Sequence, residues 1–280
     1  MERLSDYFRE HAEGDLLPWP CQVEAARRFH LSLAQVEEAI LEEGLLPARY
    51  QRNRQCIGTG QQLQLFHSRV AVIGCGGLGG YVIEELARLG VGEIIAVDHD
   101  VFVEHNLNRQ ILASPGSLGC AKVEVAQQRV EKINPAVTLV PIAQALTRTN
   151  GRDLLDAAHV AVDALDSVAA RLDLAEVCEE LAIPLVHGAI GGWYGQVATQ
   201  FPGDRSLQKI FANRENGQGA EKQLGNPSFT PAVVASLEVA EVCKILLGTG
   251  SLLRHRKLTL DLLNMEIEEI PFLQSEGEET

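Results

Sequence analysis

The chain has 280 residues, of which 46% are hydrophobic and 22% charged, a composition typical of globular proteins and not of disordered chains. Its formal net charge is −14, and a field of this sign repels nucleic-acid phosphates and anionic membrane surfaces. The N-terminus lacks an apolar signal segment, and no apolar run reaches the roughly 20 residues of a membrane-spanning helix. We therefore expect a cytoplasmic protein with neither a membrane nor a nucleic acid as partner.

Residues 1–48 are predicted to form a small helical extension. The stretch from Cys21 to His30 favours one helix, and Ser32 followed three positions later by Gln35 is a capping box that begins a second. The second helix is rich in glutamate, which would place carboxylates beside DNA phosphates. We therefore interpret the extension as a packing or dimerisation element and not as a DNA-binding helix-turn-helix.

Strands and helices alternate from residue 69, with short apolar runs separated by helical segments. The predicted strands are 69–73, 93–97, 137–142, 159–162 and 184–187. One predicted helix follows a glycine loop and ends at Leu89, and two more cover 122–133 and 168–181. This order predicts an α/β fold, a Rossmann-like doubly wound and mostly parallel sheet.

The alternation ends after Gly191, where the pattern favours antiparallel C-terminal strands. The elements predicted there are a strand at 193–201, a long mobile crossover loop at 203–230, a helix at 231–247 and a closing strand pair at 257–263 and 266–270. The predicted boundaries are a helical extension at 1–48, a main domain at 49–272 and an acidic tail at 273–280.

A glycine-rich loop, Gly74-Cys75-Gly76-Gly77-Leu78-Gly79, lies between the first strand of the alternating region and the helix that follows it. Glycines permit a tight turn and the close approach of a phosphate, which then binds the N–H groups at the helix N-terminus. Asp98 ends the next strand, where an acidic residue receives ribose hydroxyls in dinucleotide-binding folds. These residues predict a bound nucleotide, and they fit an NAD enzyme as well as an ATP enzyme.

Two cations, Arg109 and Lys122, follow the second strand. A triphosphate that loses pyrophosphate needs cations to neutralise the developing charge, whereas a diphosphate on a helix N-terminus has little need of them. The alternative for each cation is a solvated position at the surface.

Asp166 follows the strand at 159–162, at the sheet edge where ligands bind in such folds. Its carboxylate suits Mg²⁺ that is held together with substrate phosphates. The alternative is that Asp166 caps the helix that begins near Val168.

Together these residues resemble the ThiF/MoeB/HesA family of carrier-protein adenylyltransferases, relatives of the ubiquitin-activating enzymes. The resemblance begins at Arg49-Tyr50-Gln51-Arg52, which is similar to the family's Arg-Tyr-x-Arg opening, and runs to about Ile270. An Asn-Leu-x-Arg-Gln segment at 106–110, a Gly-x-x-Lys ending at Lys122 and an Asp-x-x-Asp ending at Asp166 follow in the family's order.

The resemblance implies a reaction in which the C-terminal glycine carboxylate of a small ubiquitin-like sulfur-carrier protein, ending in Gly-Gly, attacks ATP and releases pyrophosphate. It implies a molybdenum or tungsten cofactor, thiamine or related sulfur pathway, and a homodimer in which one copy reaches the partner's ATP through Arg52. The catalytic residues that it implies are Arg52, Arg109, Lys122 and Asp166, the last as the Mg²⁺ ligand. The nucleotide-binding residues that it implies are Gly74, Gly76, Gly77, Asp98, Asn106, Arg109, Lys122 and Leu165.

Two departures from the family pattern narrow this expectation. Many members hold zinc through two CxxC pairs, whereas this chain has no CxxC pair, so no zinc is expected. The loop at 203–230 also lacks the cysteine that some members use for thioester or persulfide chemistry, so adenylation is expected to be the whole reaction. The thiols of Cys75, Cys178 and Cys243 are interpreted as packing groups and not as nucleophiles.

Other interpretations stay open from the sequence. One branch of the family, tRNA threonylcarbamoyladenosine dehydratase, uses ATP in the same pocket, and Asp163-Ala164-Leu165-Asp166-Ser167 is similar to that branch. The acidic charge and the retained Arg52 favour carrier adenylation over it. An NAD-dependent oxidoreductase is the other enzyme class, and a binding partner without catalysis is a further alternative. His187 closes a buried strand and is predicted to be a hydrogen-bonded core residue.

Overall fold

The computed structural model describes residues 3–212 and 224–272. Within these residues the strands are β1 Leu16–Leu17, β2 Leu46–Pro47, β3 Arg69–Ile73, β4 Glu93–Val97, β5 Thr138–Ile142, β6 Val160–Asp163, β7 Leu185–Gly191, β8 Tyr194–Gln200, β9 Arg256–Asp261 and β10 Glu266–Pro271. The helices are α1 Leu4–His11, α2 Trp19–Phe29, α3 Leu33–Glu42, α4 Thr59–Phe66, α5 Gly77–Leu89, α6 Lys122–Ile133, α7 Gly151–Leu154, α8 Val168–Leu181, α9 Ser206–Phe211 and α10 Phe229–Leu247. None of these helices is long and apolar enough to cross a membrane.

One large sheet has the strand order β10-β9-β8-β7-β6-β3-β4-β5. Strands β7, β6, β3, β4 and β5 run parallel to one another. Strands β8, β9 and β10 each pair antiparallel with the strand beside them. The predicted α/β fold, a mostly parallel sheet with antiparallel C-terminal strands, is therefore confirmed. The apolar run of β3 follows from its central place, because helices cover both faces of a parallel sheet.

Helices cover the sheet on two sides. On one side α5 and α10 share a core cluster, in which Val82 and Leu86 of α5 pack with Val234 and Val242 of α10. On the other side α7, α8 and α9 contribute to a second cluster. The sheet is thus the middle of three layers, and its strand ends are left open at the edges of the layers.

The position of the site follows from the order of the strands. The chain moves from β3 to β4 and β5 on one side and then returns to β6 on the other side of β3. The loops after β3 and β6 therefore diverge at the carboxyl ends of the strands. Such a reversal leaves a crevice that binds ligands in open α/β sheets.

The N-terminal helices α1, α2 and α3 have a hydrophobic cluster of their own, and Tyr50 connects α3 to the end of α6. The Tyr50 hydroxyl donates to Glu37 Oε1 at 2.7 Å and accepts a hydrogen bond from Asn134 Nδ2 at 2.8 Å. The predicted capping box is confirmed, since the Gln35 N–H donates to Ser32 Oγ at 3.1 Å and the Gln35 side chain accepts from the Ser32 N–H.

The prediction of a loop across 203–230 is wrong in two places. Helix α9, Ser206–Phe211, lies inside that segment, and α10 begins at Phe229, two residues before the predicted start. Leu207 and Phe211 are four residues apart and are buried against α8. This packing stabilises a short helix that the polar sequence around it does not predict. The predicted mobility of residues 213–223 and the acidic tail at 273–280 lie outside the described residues.

Candidate active site

A cavity of about 240 Å³ opens at the carboxyl ends of β3, β4 and β6, in the crevice formed by the reversal of strand order. We call it the nucleotide cavity, after the ligand that the sequence predicts for these residues. The predicted site residues that line it are Gly74, Gly76, Gly77, Asp98, Arg109, Lys122, Leu165 and Asp166. Motifs that are far apart in the sequence therefore meet at one place.

Gly74 lies in the turn between β3 and α5, and Gly79 lies in the first turn of α5. Gly74 has a φ of +99°, and a Cβ at this position would lie 2.6 Å from the Ala164 carbonyl oxygen. A Cβ on Gly79 would collide with the Gly74 carbonyl. Both positions therefore need glycine for the backbone itself, whatever the ligand.

Gly76 and Gly77 are under no such constraint. The nearest atom to a Cβ on Gly76 would be Gln110 Nε2 at 3.5 Å, and for Gly77 it would be a Pro231 carbon at 3.6 Å. The missing side chains leave space at the N-terminus of α5, which has no side-chain cap. Because N–H groups at a helix N-terminus bind phosphate, the loop has the shape and the polarity of an anion site.

Asp98 fastens the glycine loop to the end of β4. Its Oδ2 accepts a hydrogen bond from the Cys75 N–H at 2.7 Å, and its Oδ1 accepts one from the Asp100 N–H at 2.8 Å. The residue is 8% exposed and that part faces the nucleotide cavity. Each carboxylate oxygen has a second lone pair, so Asp98 retains the capacity to accept hydrogen bonds from ribose hydroxyls.

Lys122 is only 6% exposed and is therefore not the solvated surface residue of the alternative interpretation. Its Nζ lies 2.8 Å from Asp100 Oδ2 and 3.8 Å from Asp98 Oδ2. The hydrogen bond from Lys122 lowers the pKa of the Asp100 carboxyl below its ordinary value. Arg109 is half-buried at the same cavity, and its Nη1 donates to the His105 carbonyl at 3.0 Å.

Asp166 is exposed at the edge of the nucleotide cavity, just after β6. It does not cap α8, because Ser167 is the N-cap residue and its Oγ accepts a hydrogen bond from the Ala170 N–H at 3.2 Å. The structural alternative for Asp166 therefore does not hold. A carboxylate in this position is a hard oxygen ligand of the kind that Mg²⁺ prefers.

Two predicted site residues lie outside the nucleotide cavity. Asn106 is buried, and its Oδ1 accepts a hydrogen bond from the Val103 N–H at 3.0 Å, which stabilises the turn that precedes Arg109. Arg52 is exposed in the turn after Tyr50 and does not line the cavity of its own chain. A contribution of Arg52 to a nucleotide site thus needs a second copy of the chain, and it stays a prediction.

Burial decides the character of three thiols. Cys75, inside the glycine loop, is fully buried, and burial raises the pKa of its thiol well above the ordinary value. Burial likewise raises the pKa of Cys178, and it raises that of Cys243 to about 11. Thiolate formation at neutral pH is therefore suppressed at all three, which agrees with their interpretation as packing groups.

Several polar residues that line the nucleotide cavity were not predicted as site residues. His99 and Asp100 belong to this set, and with Asp98 they place ligand atoms within 4.8 Å of one another, close enough for a metal ion. Gln110 is 6% exposed, and its Oε1 has no hydrogen-bond partner in the described part of the chain. Gln110 closes the Asn-Leu-x-Arg-Gln segment, which is a signal for it, whereas nothing local in the sequence marks Asn226.

A second cavity of about 350 Å³ adjoins the first, and we call it the groove. Strands β7, β8, β9 and β10 line it, with Phe211 and Leu224 from the segment between β8 and α10. It shares Asp166 and Ile190 with the nucleotide cavity. The two cavities therefore adjoin at the residue predicted to hold Mg²⁺.

The model of the ThiF family matches residues 50–279 of the chain. The chain belongs to the ThiF family. The match begins within the Arg-Tyr-x-Arg segment and includes every motif that lines the nucleotide cavity, so the resemblance found in the sequence is confirmed.

Curated relatives of this ThiF-family chain are similar over most of its length. SAMP-activating enzyme E1 of Haloferax volcanii is 35% identical over 77% of this chain and 81% of its own length. Sulfur carrier protein adenylyltransferase of Thermus thermophilus is 32% identical, over 76% and 82% respectively. Molybdopterin-synthase adenylyltransferase of Escherichia coli K12 is 31% identical, over 80% and 93%. The chain spans half the length of adenylyltransferase and sulfurtransferase MOCS3 of Arabidopsis thaliana, at 31% identity.

Solved structures share the fold at lower identity. A crystal structure of Escherichia coli MccB with ATP superposes with a TM-score of 0.68 at 21% identity, over 91% of this chain and 83% of that one. A crystal structure of PaaA gives a TM-score of 0.68 at 19% identity, over 81% and 82%. Both likenesses confirm the arrangement of the sheet and its helices.

Proposed function

We propose that this nucleotidyltransferase of the ThiF family activates the C-terminal glycine carboxylate of a ubiquitin-like sulfur-carrier protein with ATP. The proposal rests on two adjoining cavities that share Asp166, the nucleotide cavity and the groove, which we propose receives the tail of the carrier. A carboxylate that enters along the groove arrives beside phosphates held by the glycine loop. The names of the relatives, which include a sulfur carrier protein adenylyltransferase, support the same reaction class.

ATP is the proposed nucleotide. Asp98 accepts hydrogen bonds from its ribose, and the open backbone at Gly76 and Gly77 receives phosphate at the N-terminus of α5. Lys122 and Arg109 neutralise the charge of the phosphates that leave, because preorganised cations act where charge develops. Asn106 positions Arg109 by stabilising the turn that precedes it.

Mg²⁺ is the proposed metal, and Asp166 is the residue that would hold it. The exposed carboxylate and the adjacent phosphate site form the mixed donor set that this ion usually takes, with one carboxylate and substrate oxygens. When bound, the ion supplies charge neutralisation to the triphosphate. No zinc is proposed.

In the proposed reaction an oxygen of the glycine carboxylate attacks the α-phosphorus of ATP. A bond forms between that oxygen and the phosphorus, the bond to the oxygen that bridges to the β-phosphorus breaks, and pyrophosphate leaves with the electron pair. The products are an acyl-adenylate and pyrophosphate. No general base is needed, because an α-carboxyl group with a pKa of about 3.5 is ionised at neutral pH.

We also propose a cytoplasmic homodimer in which Arg52 of one copy reaches the nucleotide cavity of the other. Tyr50 is buried and held by Glu37 and Asn134, so Arg52 extends from a fixed base into solvent. The proposed partner ends in Gly-Gly and serves molybdenum or tungsten cofactor, thiamine or a related sulfur pathway. The relatives include activating enzymes for more than one type of carrier, which supports the carrier class and leaves the pathway to experiment.

The proposal is tested by mass spectrometry of the carrier. The chain is incubated with ATP, Mg²⁺ and each small carrier of the same organism that ends in Gly-Gly. We expect an AMP adduct on the terminal glycine of one carrier and none on the same carrier shortened by that glycine. Absence of an adduct on every carrier, while ATP binds, would contradict the proposed function.

A further inference from the structure

Four buried or half-buried polar side chains form a continuous series behind Asp166, and we call them the polar chain. Asp163 and His187 are 0% exposed and occupy paired positions on β6 and β7. His187 Nδ1 lies 2.7 Å from Asp163 Oδ2. Gln196 Nε2 lies 3.1 Å from His187 Nε2, and Lys257 Nζ lies 3.3 Å from Gln196 Oε1.

The donors and acceptors of the polar chain have one consistent arrangement. Lys257 carries only donors, so Gln196 presents its Oε1 to Lys257 and its Nε2 donor to His187. His187 Nε2 is then an acceptor, and Nδ1 carries the proton that is donated to Asp163. Burial lowers the pKa of His187 in spite of the neighbouring Asp163 carboxylate, so the ring stays neutral at neutral pH.

The inner end of the polar chain holds the peptide that precedes Asp166. Asp163 Oδ1 accepts a hydrogen bond from the Leu165 N–H at 3.0 Å. The Leu165 carbonyl accepts hydrogen bonds from the guanidinium of Arg171, with Nε at 3.2 Å. Both polar groups of the Leu165 backbone are thus held by buried charged side chains, so a movement of this loop breaks a buried hydrogen bond.

The outer end of the polar chain lies at the wall of the groove. Gln196 lines the groove, and Lys257 comes from β9, which forms the next part of the same wall. A peptide in the groove therefore passes the side chain that orients His187. Three hydrogen bonds in series, from Gln196 to His187, to Asp163 and to the Leu165 amide, connect this wall to the loop of Asp166.

We propose that His187 and Gln196 are positioning residues for Asp166. The polar chain fixes the direction of the Asp163 carboxylate and, through it, the loop that presents Asp166 to the nucleotide. The inference rests on the role of Asp166 in the proposed function. A carrier tail in the groove that forms a hydrogen bond with Gln196 would act on the loop of Asp166 through the same hydrogen bonds.

A double-mutant cycle on ATP affinity tests this proposal without a carrier. Dissociation constants for ATP with Mg²⁺ are measured for the wild type, His187→Leu, Asp166→Ala and the double variant. We expect His187→Leu to weaken ATP binding about tenfold, which is the usual effect of losing one hydrogen-bonding partner. The double variant should bind ATP as weakly as Asp166→Ala alone. An equal loss in both backgrounds, or no loss in either, would overturn the proposal.

Gln196→Leu serves as a second variant, because His187→Leu removes a buried hydrogen-bond partner of Asp163 and can destabilise the fold itself. We expect Gln196→Leu to weaken ATP binding about threefold, and again only when Asp166 is present. Thr259→Val is the matched control, since Thr259 is paired with Gln196 across β8 and β9 and lines the same groove. An equal loss with Thr259→Val would show a general effect of the groove wall and overturn the proposal.

Leu174→Ala separates positioning from general loss of packing. Leu174 is a fully buried apolar residue of α8 in the same core cluster that α9 completes, and it lies outside the polar chain. This variant should lower the melting temperature and leave the ATP dissociation constant unchanged.

The two proposals can fail separately. If the losses of ATP affinity are non-additive as expected but no acyl-adenylate forms, only the proposed carrier adenylation is contradicted. If the losses are additive and the acyl-adenylate forms normally, only the proposed role of the polar chain is contradicted.

Discussion

Lys122 and Asp100 form an ion pair of 2.8 Å in the nucleotide cavity, in which the lysine side chain is 7% exposed and the aspartate side chain 53%. The pair holds the ammonium group at the place where the proposed triphosphate needs a cation. In the proposed complex a phosphate shares the ammonium group of Lys122 with the Asp100 carboxylate or displaces it. We therefore expect Asp100 to weaken the interaction of Lys122 with the nucleotide.

Asp100→Asn is expected to tighten ATP binding, because it removes the competing charge and keeps the shape of the side chain. We expect the ATP dissociation constant to fall about threefold, a modest change because the carboxylate is half exposed to solvent. Lys122→Ala is the opposite control, with loss of ATP affinity and of adenylation and an unchanged circular dichroism spectrum. Weaker ATP binding by Asp100→Asn would mean that Asp100 contacts the nucleotide or its metal and does not compete with it.

Alanine substitutions in the glycine loop should separate the needs of the backbone from those of the ligand. Gly74→Ala places a Cβ against the Ala164 carbonyl at a positive φ, so we expect a lower melting temperature. Gly76→Ala meets nothing closer than 3.5 Å and should keep the melting temperature while weakening ATP binding. Thermal unfolding with and without ATP measures both effects. Equal destabilisation by the two variants would contradict the assignment of Gly76 to the ligand.

Arg52→Ala should lose adenylation and regain part of it in mixed dimers. One site of a mixed dimer with Lys122→Ala has both wild-type residues if Arg52 acts on the partner's nucleotide. Random mixing then restores about a quarter of the wild-type activity. Mixing after partial denaturation, followed by the adenylation assay, measures it. Activity no higher than that of either variant alone would exclude a shared site.

Glu238→Gln should remove a pH dependence of stability. Glu238 packs against Gly188, and neither carboxylate oxygen has a hydrogen-bond partner among the described residues. Burial raises the pKa of Glu238 well above its ordinary value. The folded chain therefore keeps a proton that the unfolded chain releases, and the free energy of unfolding falls as the pH rises above the ordinary value.

The measurement for Glu238 is the melting temperature of the wild type and of Glu238→Gln at about pH 5 and about pH 8. Glutamine has the shape of glutamate and does not ionise, so the advantage of the variant should be larger at the higher pH. An advantage that is equal at both values would mean that the carboxyl is not held protonated by the fold.

The sheet domain was largely predictable because its elements are long and have strong apolar patterns. The bounds of β3, β4, α6 and α8 are those predicted from the sequence. Helices α1 and α9 were missed, since each has at most eight residues and no side-chain cap to mark its start. Their buried apolar pairs, such as Leu207 and Phe211, stabilise a helix only when another element packs against them.

The nucleotide cavity was predictable where its residues belong to local motifs, and the polar chain was not. The prediction that His187 is a hydrogen-bonded core residue is confirmed, but its partner Asp163 depends on the register of β6 against β7. Gln196 joins them through the register of β8, and Asn226 reaches the cavity from a segment far along the chain. Contacts set by strand register and by long connections leave no local pattern in the sequence.

Exchange of labelled pyrophosphate into ATP tests reversible acyl-adenylate formation most directly. The assay contains the chain, ATP, Mg²⁺ and labelled pyrophosphate, with and without carriers of the same organism that end in Gly-Gly. We expect exchange that requires both Mg²⁺ and one carrier and that disappears in Asp166→Ala. No exchange with any carrier, while ATP still binds to the nucleotide cavity, would contradict carrier adenylation.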